Sequence, residues 1–329
     1  MLTSKIARAF LWLCATVALV PGAALAEQFP SKPIRILIGY SPGGGMDSLA
    51  RLLAPKLTEI LKVPVVIENK PGASELMASQ PVLHAAPDGY TLWLGSAGAM
   101  VQGPAVRTDL PYDPVKNFTP IAMIADGEAV LLARKQAPGN TMSELVAYSK
   151  NNRGKLTYGS AGVGSGSHLA MEYMIALTGA SMLHIPYKGE AESTRDAMAG
   201  NVDVVLAMVQ TAVPLITAGK LKPIAVTGTE RLKSMPDLPT IAQTGVPGLE
   251  AVGSYTFYAV MGPAGMPQPI VKRINEAFNK AIAMPDVAQR MREVSLRPHT
   301  DSPEAFARQL AKDLATWKQL RGKVKIGDS

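Results

Sequence analysis

Ile34 to Leu53, IRILIGYSPGGGMDSLARLL, constrains the fold more than any other stretch of the chain. Ile34, Ile36, Leu37 and Ile38 form a run broken only by Arg35, which is the pattern of a strand covered on both faces, as in a parallel sheet. Gly43, Gly44 and Gly45 carry no Cβ, so a ligand could approach their backbone directly. Asp47 or Ser48 can cap a following helix whose apolar stripe is Leu49, Leu52, Leu53, Leu57 and Ile60. A helix start after a parallel strand leaves free N–H groups and a partial positive charge at the edge of a crevice, which suits an anion. A tight strand-to-helix turn without any ligand would use the same residues.

The 329 residues, 47% of them apolar, are enough for a large core and two domains. The first residues stand apart. Lys5 and Arg8 precede an apolar run from Ala9 to Val20, and Ala24-Leu25-Ala26 has the small-x-small form of a cleavage site. This predicts a secretory leader over 1–26, cleaved after Ala26, and therefore a periplasmic protein. The run is too short for a membrane span. The single cysteine, Cys14, lies inside the leader, so the mature chain has neither a disulfide nor a thiol nucleophile. Loss of Lys5 and Arg8 leaves 31 basic and 26 acidic residues, a net charge of +5. That mild excess suits an anionic solute, and the absence of a Lys/Arg run argues against nucleic acid.

Strands and helices alternate along the mature chain. Val63–Glu68 and Tyr90–Leu94 read as the second and third strands, with a helix weakened by Pro81 over Glu75–Ala86 between them. Such βα repeats make a doubly wound sheet that binds at the carboxyl ends of its strands, so the loop at Ser96 should share a crevice with the first glycine turn. Thr119–Arg134 is extended and leads into a second alternating series: a helix at Met142–Asn151, strands at Lys155–Tyr158, Leu183–Tyr187, Val202–Val209 and Pro223–Thr227, and helices at His168–Thr178 and Glu192–Ala199. A second extended run, Tyr255–Met261, returns to helices at Pro269–Ala283, Asp286–Val294 and Ser302–Leu320. Residues 27–128 with 256–329 are expected to form one lobe and 129–255 the other, joined by a two-strand hinge that can close on a solute.

The loop Gly159–Ser167, GSAGVGSGS, again joins a strand to a helix start, with His168 in the first turn. Its N–H groups can form an anion nest, although Gly/Ser clusters also mark plain surface loops. With one such turn per lobe, two helix N-termini could meet across a cleft and hold a dianion. A positive helix end would keep His168 neutral; a histidine that only packs locally is an equal alternative. Asp203 either reaches the cleft or caps the turn before its strand. Enzyme signatures are missing. Pro42-Gly43-Gly44-Gly45-Met46-Asp47 does not match G-x-G-x-x-G, although Glu68 stands where a ribose-binding acid could. There is no phosphate-loop motif and no G-x-S-x-G elbow. His84, His168, His184 and His299 lack zinc-ligand spacing, so no metal or cofactor is expected.

An ordered set of segments carries a resemblance: PSKPIRILIGYSPGGGMD (Pro30–Asp47), VVIENKPGA (Val65–Ala73), PDGYTL (Pro87–Leu92), LPYDP (Leu110–Pro114), LTYGSAGVGSGSHLA (Leu156–Ala170), HIPYKG (His184–Gly189), AGKLKPIAVT (Ala218–Thr227) and PDLPTIAQTGVPG (Pro236–Gly248). Together they resemble the solute-binding proteins of tripartite tricarboxylate transporters, the Bug family. The resemblance implies a two-lobe α/β periplasmic binding protein of the type II-like Venus flytrap kind, each lobe a doubly wound, mostly parallel sheet. It implies a monomeric, non-enzymatic receptor that passes a di- or tricarboxylate, acidic amino acid or aromatic acid to a membrane permease with one large and one small subunit. Carboxylates would be held by backbone N–H groups and waters at Ser41, Gly43, Gly44 and Asp47 in the first loop, and at Ser160, Gly164, Ser165 and His168 in the second. Tyr40, Ser96 and Asp203 complete the candidate set. An exported α/β enzyme using the same cleft, or a sensory protein serving a membrane kinase, are the alternatives.

The chain departs from the family pattern after PGA. Ser74-Glu75-Leu76-Met77 replaces paired glycines, and Ala99-Met100-Val101-Gln102-Gly103 lacks the usual His and Asn. Met46, Met77, Met100 and Met208 could line a wider apolar pocket, which leads to the expectation of a solute other than plain citrate, such as a longer or aromatic acid.

Overall fold

The computed structural model describes residues 29–228, 230–250 and 256–318. The leader expected over 1–26 lies outside them. Two mixed sheets form two lobes. Lobe 1 contains β1 (Ile34–Ile38), α1 (Gly45–Leu61), β2 (Val65–Asn69), a 3₁₀ turn (Ala73–Glu75), α2 (Leu76–Leu83), β3 (Thr91–Ser96), a π-turn (Gly98–Gln102), α3 (Gly103–Val106) and β4 (Phe118–Gly127). Lobe 2 contains β5 (Ala129–Arg134), α4 (Met142–Asn151), β6 (Leu156–Ser160), α5 (Gly166–Thr178), β7 (Met182–Pro186), α6 (Glu190–Ala199), β8 (Val204–Met208), α7 (Val209–Thr217) and β9 (Leu221–Val226). The chain then returns to lobe 1 as β10 (Thr256–Pro263), α8 (Gln268–Ile282), α9 (Pro285–Glu293), β11 (Leu296–Pro298) and α10 (Pro303–Lys318).

The strand orders are β11-β4-β10-β3-β1-β2 and β7-β6-β8-β5-β9. Neither sheet is mostly parallel. Among the described residues, parallel strand pairing is confined to β2-β1-β3 and β7-β6-β8, apart from a single parallel bridge between Val226 and Thr240, and the other strand pairs are antiparallel. The reason is the hinge. β4 leaves lobe 1 at Gly127 and β10 re-enters beside it, with Thr256 opposite Gly127, so the two crossings run in opposite directions. β10 also runs against β3, because β3 points toward the cleft and β10 away from it. In lobe 2, β5 starts at the hinge and runs against β8 and β9 for the same reason.

β1 is covered on both faces, as its apolar run requires. Ile34, Ile36 and Ile38 pack in one cluster with Leu49, Leu53 and Leu57 of α1. Leu37 points the other way, into a cluster with Trp93, Phe257 and the Phe306, Leu310 and Leu314 stripe of α10. Full burial of each such side chain contributes about 1.5–3 kcal/mol, which anchors the strand whose end carries the glycine turn. Among the described residues, no helix is long and apolar enough to cross a membrane.

Several elements differ from the sequence expectation. α7 was not anticipated: its residues VQTAVPLIT follow directly on the apolar run of β8. The π-turn and α3 occupy a segment for which no regular element was expected. α1 starts at Gly45, before Asp47, so neither Asp47 nor Ser48 is its cap; the N-cap is Gly44, with no side-chain bond to the helix.

Candidate functional site

The carboxyl ends of β1, β3, β6, β7 and β8 meet between the lobes, around a cavity of about 60 Å³. Tyr40, Ser41, Gly44, Gly45, Met46, Ser96 and Tyr258 line it from lobe 1. Ala161, Gly166, Ser167, Glu190 and Met208 line it from lobe 2. That space holds roughly four to six waters, or a compact solute.

On the lobe 1 side, the start of α1 is left open by its glycine cap. Helices leave their first N–H groups without intrahelical partners, so Gly45 and Met46 bring unpaired donors and the positive helix end to the cavity. Asp47 holds this turn in shape. It is buried and accepts from Gly43 N at 3.0 Å, Arg51 Nε at 3.0 Å and Asn69 Nδ2 at 3.0 Å. Burial alone would raise its pKa, but the hydrogen bonds from Arg51, Gly43 and Asn69 and the Arg51 charge hold the carboxyl below its ordinary range.

On the lobe 2 side, α5 begins at Gly166 with Ser165 as N-cap, its side chain accepting from His168 N at 3.3 Å. Ser167 Oγ accepts from Ala161 N at 3.0 Å and closes the loop on itself. His168 turns inward. Its Nδ1 accepts from Gly164 N at 3.0 Å, and its ring stacks on His184 with centroids 4.1 Å apart. Burial, then the charges of His184 and Arg107, pushes the His168 pKa down to about 3; burial takes His184 down to about 4. Both rings are therefore neutral at pH 7. Ser160 Oγ lies 2.6 Å from His184 Nε2, behind the loop.

Of the eleven residues expected from sequence, Tyr40, Ser41, Gly44 and Ser96 line the cavity. Gly43 and Asp47 shape the first turn, and Ser160, Gly164, Ser165 and His168 shape the second. Asp203 is a correction. It precedes β8, at the end of the sheet away from the cavity, where it accepts from Arg134 Nε at 2.7 Å, Thr157 N at 2.8 Å and Thr157 Oγ1 at 2.9 Å. The amino ends of parallel strands face away from the crevice, so Asp203 ties β6 to β8 instead.

The methionine expectation holds only in part. Met46 and Met208 line the cavity, but Met100 is fully buried in the core and Met77 is 53% exposed. Ser74 and Glu75 take a different part from the one expected. Ala73, Ser74 and Glu75 all adopt positive φ, at 46°, 52° and 72°, a conformation that costs about 1–3 kcal/mol per non-glycine residue. The bend lets Ser74 Oγ donate to Val163 O across the cleft. It also drives Glu75 into the interior, where it accepts from Ser96 Oγ at 2.5 Å, Ser96 N at 3.2 Å, Trp93 Nε1 at 3.1 Å and the Tyr40 side chain. Burial outweighs these bonds and raises its pKa to about 7.

Glu190 and Gln210 were missed. Glu190 follows β7 through Tyr187-Lys188-Gly189, and Gln210 follows β8. The rule that pointed to the ends of β1, β3 and β6 applies equally to the ends of β7 and β8. Among the described residues, no cluster of three or more His, Cys, Asp or Glu could hold a metal ion.

A two-lobe cleft fed by a glycine turn from each side matches a known group of proteins. A family model described as "Tripartite tricarboxylate transporter family receptor" matches residues 49–326. The chain belongs to this family. A UPF0065 protein of Bordetella pertussis is 36% identical to this receptor over 89% of its chain and 90% of the relative's. Among solved structures, MatC from Rhodopseudomonas palustris with bound malate is 30% identical, with a TM-score of 0.84, covering 89% of the receptor and 99% of MatC. A second R. palustris protein, Rpa4515 with adipate, is 30% identical with a TM-score of 0.83, over 89% and 97% of the two chains. The receptor thus shares its fold and family with periplasmic solute-binding proteins, some of which are named with a bound dicarboxylic acid.

Proposed function

We propose that this protein is a periplasmic receptor that takes up a small carboxylate-bearing solute between its lobes and presents it to a tripartite tricarboxylate-type permease with one large and one small membrane subunit. One observation carries the reading: the uncapped start of α1 and the start of α5 face one cavity from opposite lobes. Each brings backbone donors and a positive helix end, the standard requirements for holding a carboxylate without a charged side chain. The malate and adipate named with the two R. palustris relatives are of the same chemical class. Export by the expected leader and delivery to the permease are part of the same proposal.

The reading is tested by a thermal-shift panel of mono-, di- and tricarboxylic acids. A true solute at a hundredfold over its Kd stabilises the folded form by about 2.7 kcal/mol. A panel in which no carboxylate raises the melting temperature would overturn the proposal.

A further inference from the structure

A carboxyl group stands directly behind one wall of the cavity. Glu75 is fully buried, and it bonds to Tyr40 and Ser96, two hydroxyl residues that line the cavity. The fold makes room for it: a Cβ on Gly39, just after β1, would collide with the Glu75 Cα and side chain. The turn that carries it holds three successive residues at positive φ, strain of the kind that clusters at functional sites.

The bonds to Glu75 are not equivalent. Trp93 Nε1 and Ser96 N can only donate, and Oε2 lies within reach of both, at 3.1 and 3.3 Å. Ser96 Oγ, 2.5 Å from Oε1, can donate or accept. So can the Tyr40 hydroxyl, 3.4 Å from Ser96 Oγ. With Glu75 ionised, Ser96 commits its one proton to Oε1 and has only lone pairs for the cavity. With Glu75 protonated, Oε2 still serves both N–H donors, and the new proton on Oε1 is donated to Ser96 Oγ. The Ser96 proton is then released to meet an anionic solute. Burial raises the Glu75 pKa to about 7, so both forms are populated near neutral pH.

The surroundings leave this proton to Glu75. Trp93 and Ser96 face it from β3, Tyr40 from the segment after β1, and Tyr112 from the segment before β4. Tyr112 donates to Ala99 O at 2.7 Å, and burial, then the Glu75 charge, pushes its pKa above the ordinary range, so it stays neutral. Arg107, whose charge acts on Tyr112, is paired with Asp109 at 2.6 Å. Phe257, Phe306 and Leu310, in the same cluster as Trp93, are apolar. From lobe 2, Glu190 lines the same cavity, and His168 and His184 are neutral.

Building on the receptor reading above, we propose that Glu75 is a positioning residue that couples solute capture to a proton: the receptor takes up its carboxylate solute together with one proton, held on Glu75 Oε1, and Ser96 donates to the solute. The proton comes from solvent and returns there when the solute leaves. Affinity is then full while Glu75 is protonated and falls as pH rises through 7, because the cavity loses a donor and gains a negative charge behind its wall.

The test is calorimetry on the full mature chain with malate, adipate and the other dicarboxylic acids of the panel, which are largely ionised at both pH 6.5 and pH 8.5. Wild-type affinity should fall about tenfold between these pH values, and the binding heat should vary with the ionisation enthalpy of the buffer, which counts the proton taken up. Glu75→Gln places a permanent amide donor at Ser96 and should remove both the fall and the proton uptake. Ser96→Ala should lose most of the fall, because the hydroxyl that relays it is gone. Glu190→Gln should keep the fall, which separates the two buried carboxyls. Melting curves confirm that each variant is folded. A wild-type affinity independent of pH, or a fall preserved in Glu75→Gln, overturns the proposal. So does a fall that disappears only in Glu190→Gln. Should Glu75→Gln fail to fold, an unchanged fall in Ser96→Ala overturns it by itself. If no acid binds at either pH, the receptor reading fails and this inference falls with it.

Discussion

Ser41 Oγ donates to Glu192 Oε1 at 3.0 Å, and this bond spans the cleft from the glycine turn of lobe 1 to the first turn of α6 in lobe 2. Glu192 is held in place by Lys188 N, which donates to its Oε2 at 3.2 Å. The pair exists only when the lobes are together, so it stabilises the closed arrangement and not either lobe alone. A hydrogen bond to a charged group contributes about 1.5–3 kcal/mol net, less where solvent reaches it. Glu192→Ala should therefore weaken solute binding about tenfold, or about 1.4 kcal/mol, with the unliganded melting temperature nearly unchanged. Calorimetry and a melt check both halves, and unaltered affinity would exclude the pair as a latch.

Glycines at the cleft separate ligand approach from lobe approach. A Cβ on Gly44 would meet only Ser41 O, at 3.8 Å, and its φ of −82° suits any residue. Gly44→Val should fold normally yet lose at least a hundredfold in affinity, because the new side chain stands where the solute reaches the α1 amides. A Cβ on Gly98 would lie 2.5 Å from Gly166 N in the other lobe. Gly98→Ala should hold the lobes apart, which small-angle scattering would detect as a larger radius of gyration in saturating solute.

Glu190 makes stability depend on pH in a known direction. Burial raises its pKa from 4.5 to about 7, against the bonds from Thr211 and Met208 N. The folded state then holds a proton that the unfolded state has lost. The contribution is fully present below pH 4.5 and is lost as pH rises to about 7. Glu190→Gln should be more stable than wild type at pH 8 without solute, by on the order of 1–3 kcal/mol, and the gain should vanish near pH 4. Urea titrations at the two pH values test this, and a gain independent of pH would refute it.

The stacked histidines act with the opposite sign. His168 and His184 titrate at about 3 and about 4 when folded, below the ordinary 6.5, chiefly because both are buried. Their stability contribution is fully present above pH 6.5 and is lost as pH falls toward 4 and then 3. Nitrogen-15 spectra of the imidazoles at pH 5.5 should show both rings neutral, with His168 protonated at Nε2, since its Nδ1 accepts from Gly164 N. A charged ring at that pH would contradict the burial argument.

Asp203 belongs to the scaffold. Asp203→Asn should cost about 1–3 kcal/mol of stability, because it weakens the bonds from Arg134 and Thr157. Affinity for solute should stay within twofold of wild type. A large affinity loss with unchanged stability would return Asp203 to the candidate site.

Local pattern made much of the fold legible before any coordinates. The apolar run of β1, the glycine turn and the stripe of α1 predict one another, because a strand buried on both faces and an amphipathic helix each carry their own period. The two extended crossings near Glu128 and Tyr258 were visible for the same reason. α7 was not, since VQTAVPLIT carries one strongly polar residue, Gln210, and runs on from an apolar strand without a turn signal between them. The antiparallel hinge strands were hidden too, because strand direction follows from how the chain crosses between lobes and not from any single strand's composition.

The sequence by itself determined the two glycine turns, the family and the end of each sheet where a solute could sit, because these rest on short-range patterns of backbone freedom and hydrophobic period. Only the tertiary structure decided which side chains face that solute. Glu75 stands where the family pattern has glycines, and three successive positive-φ residues turn it inward beneath Tyr40 and Ser96. Glu190 stands just before the helix expected at Glu192–Ala199, and only the folded chain places it on the cavity wall. Burial is set by contacts between separate elements, from Glu75 with Trp93 and Ser96, 18 and 21 positions apart, to Ser41 with Glu192, 151 positions apart, and no local window of sequence contains it.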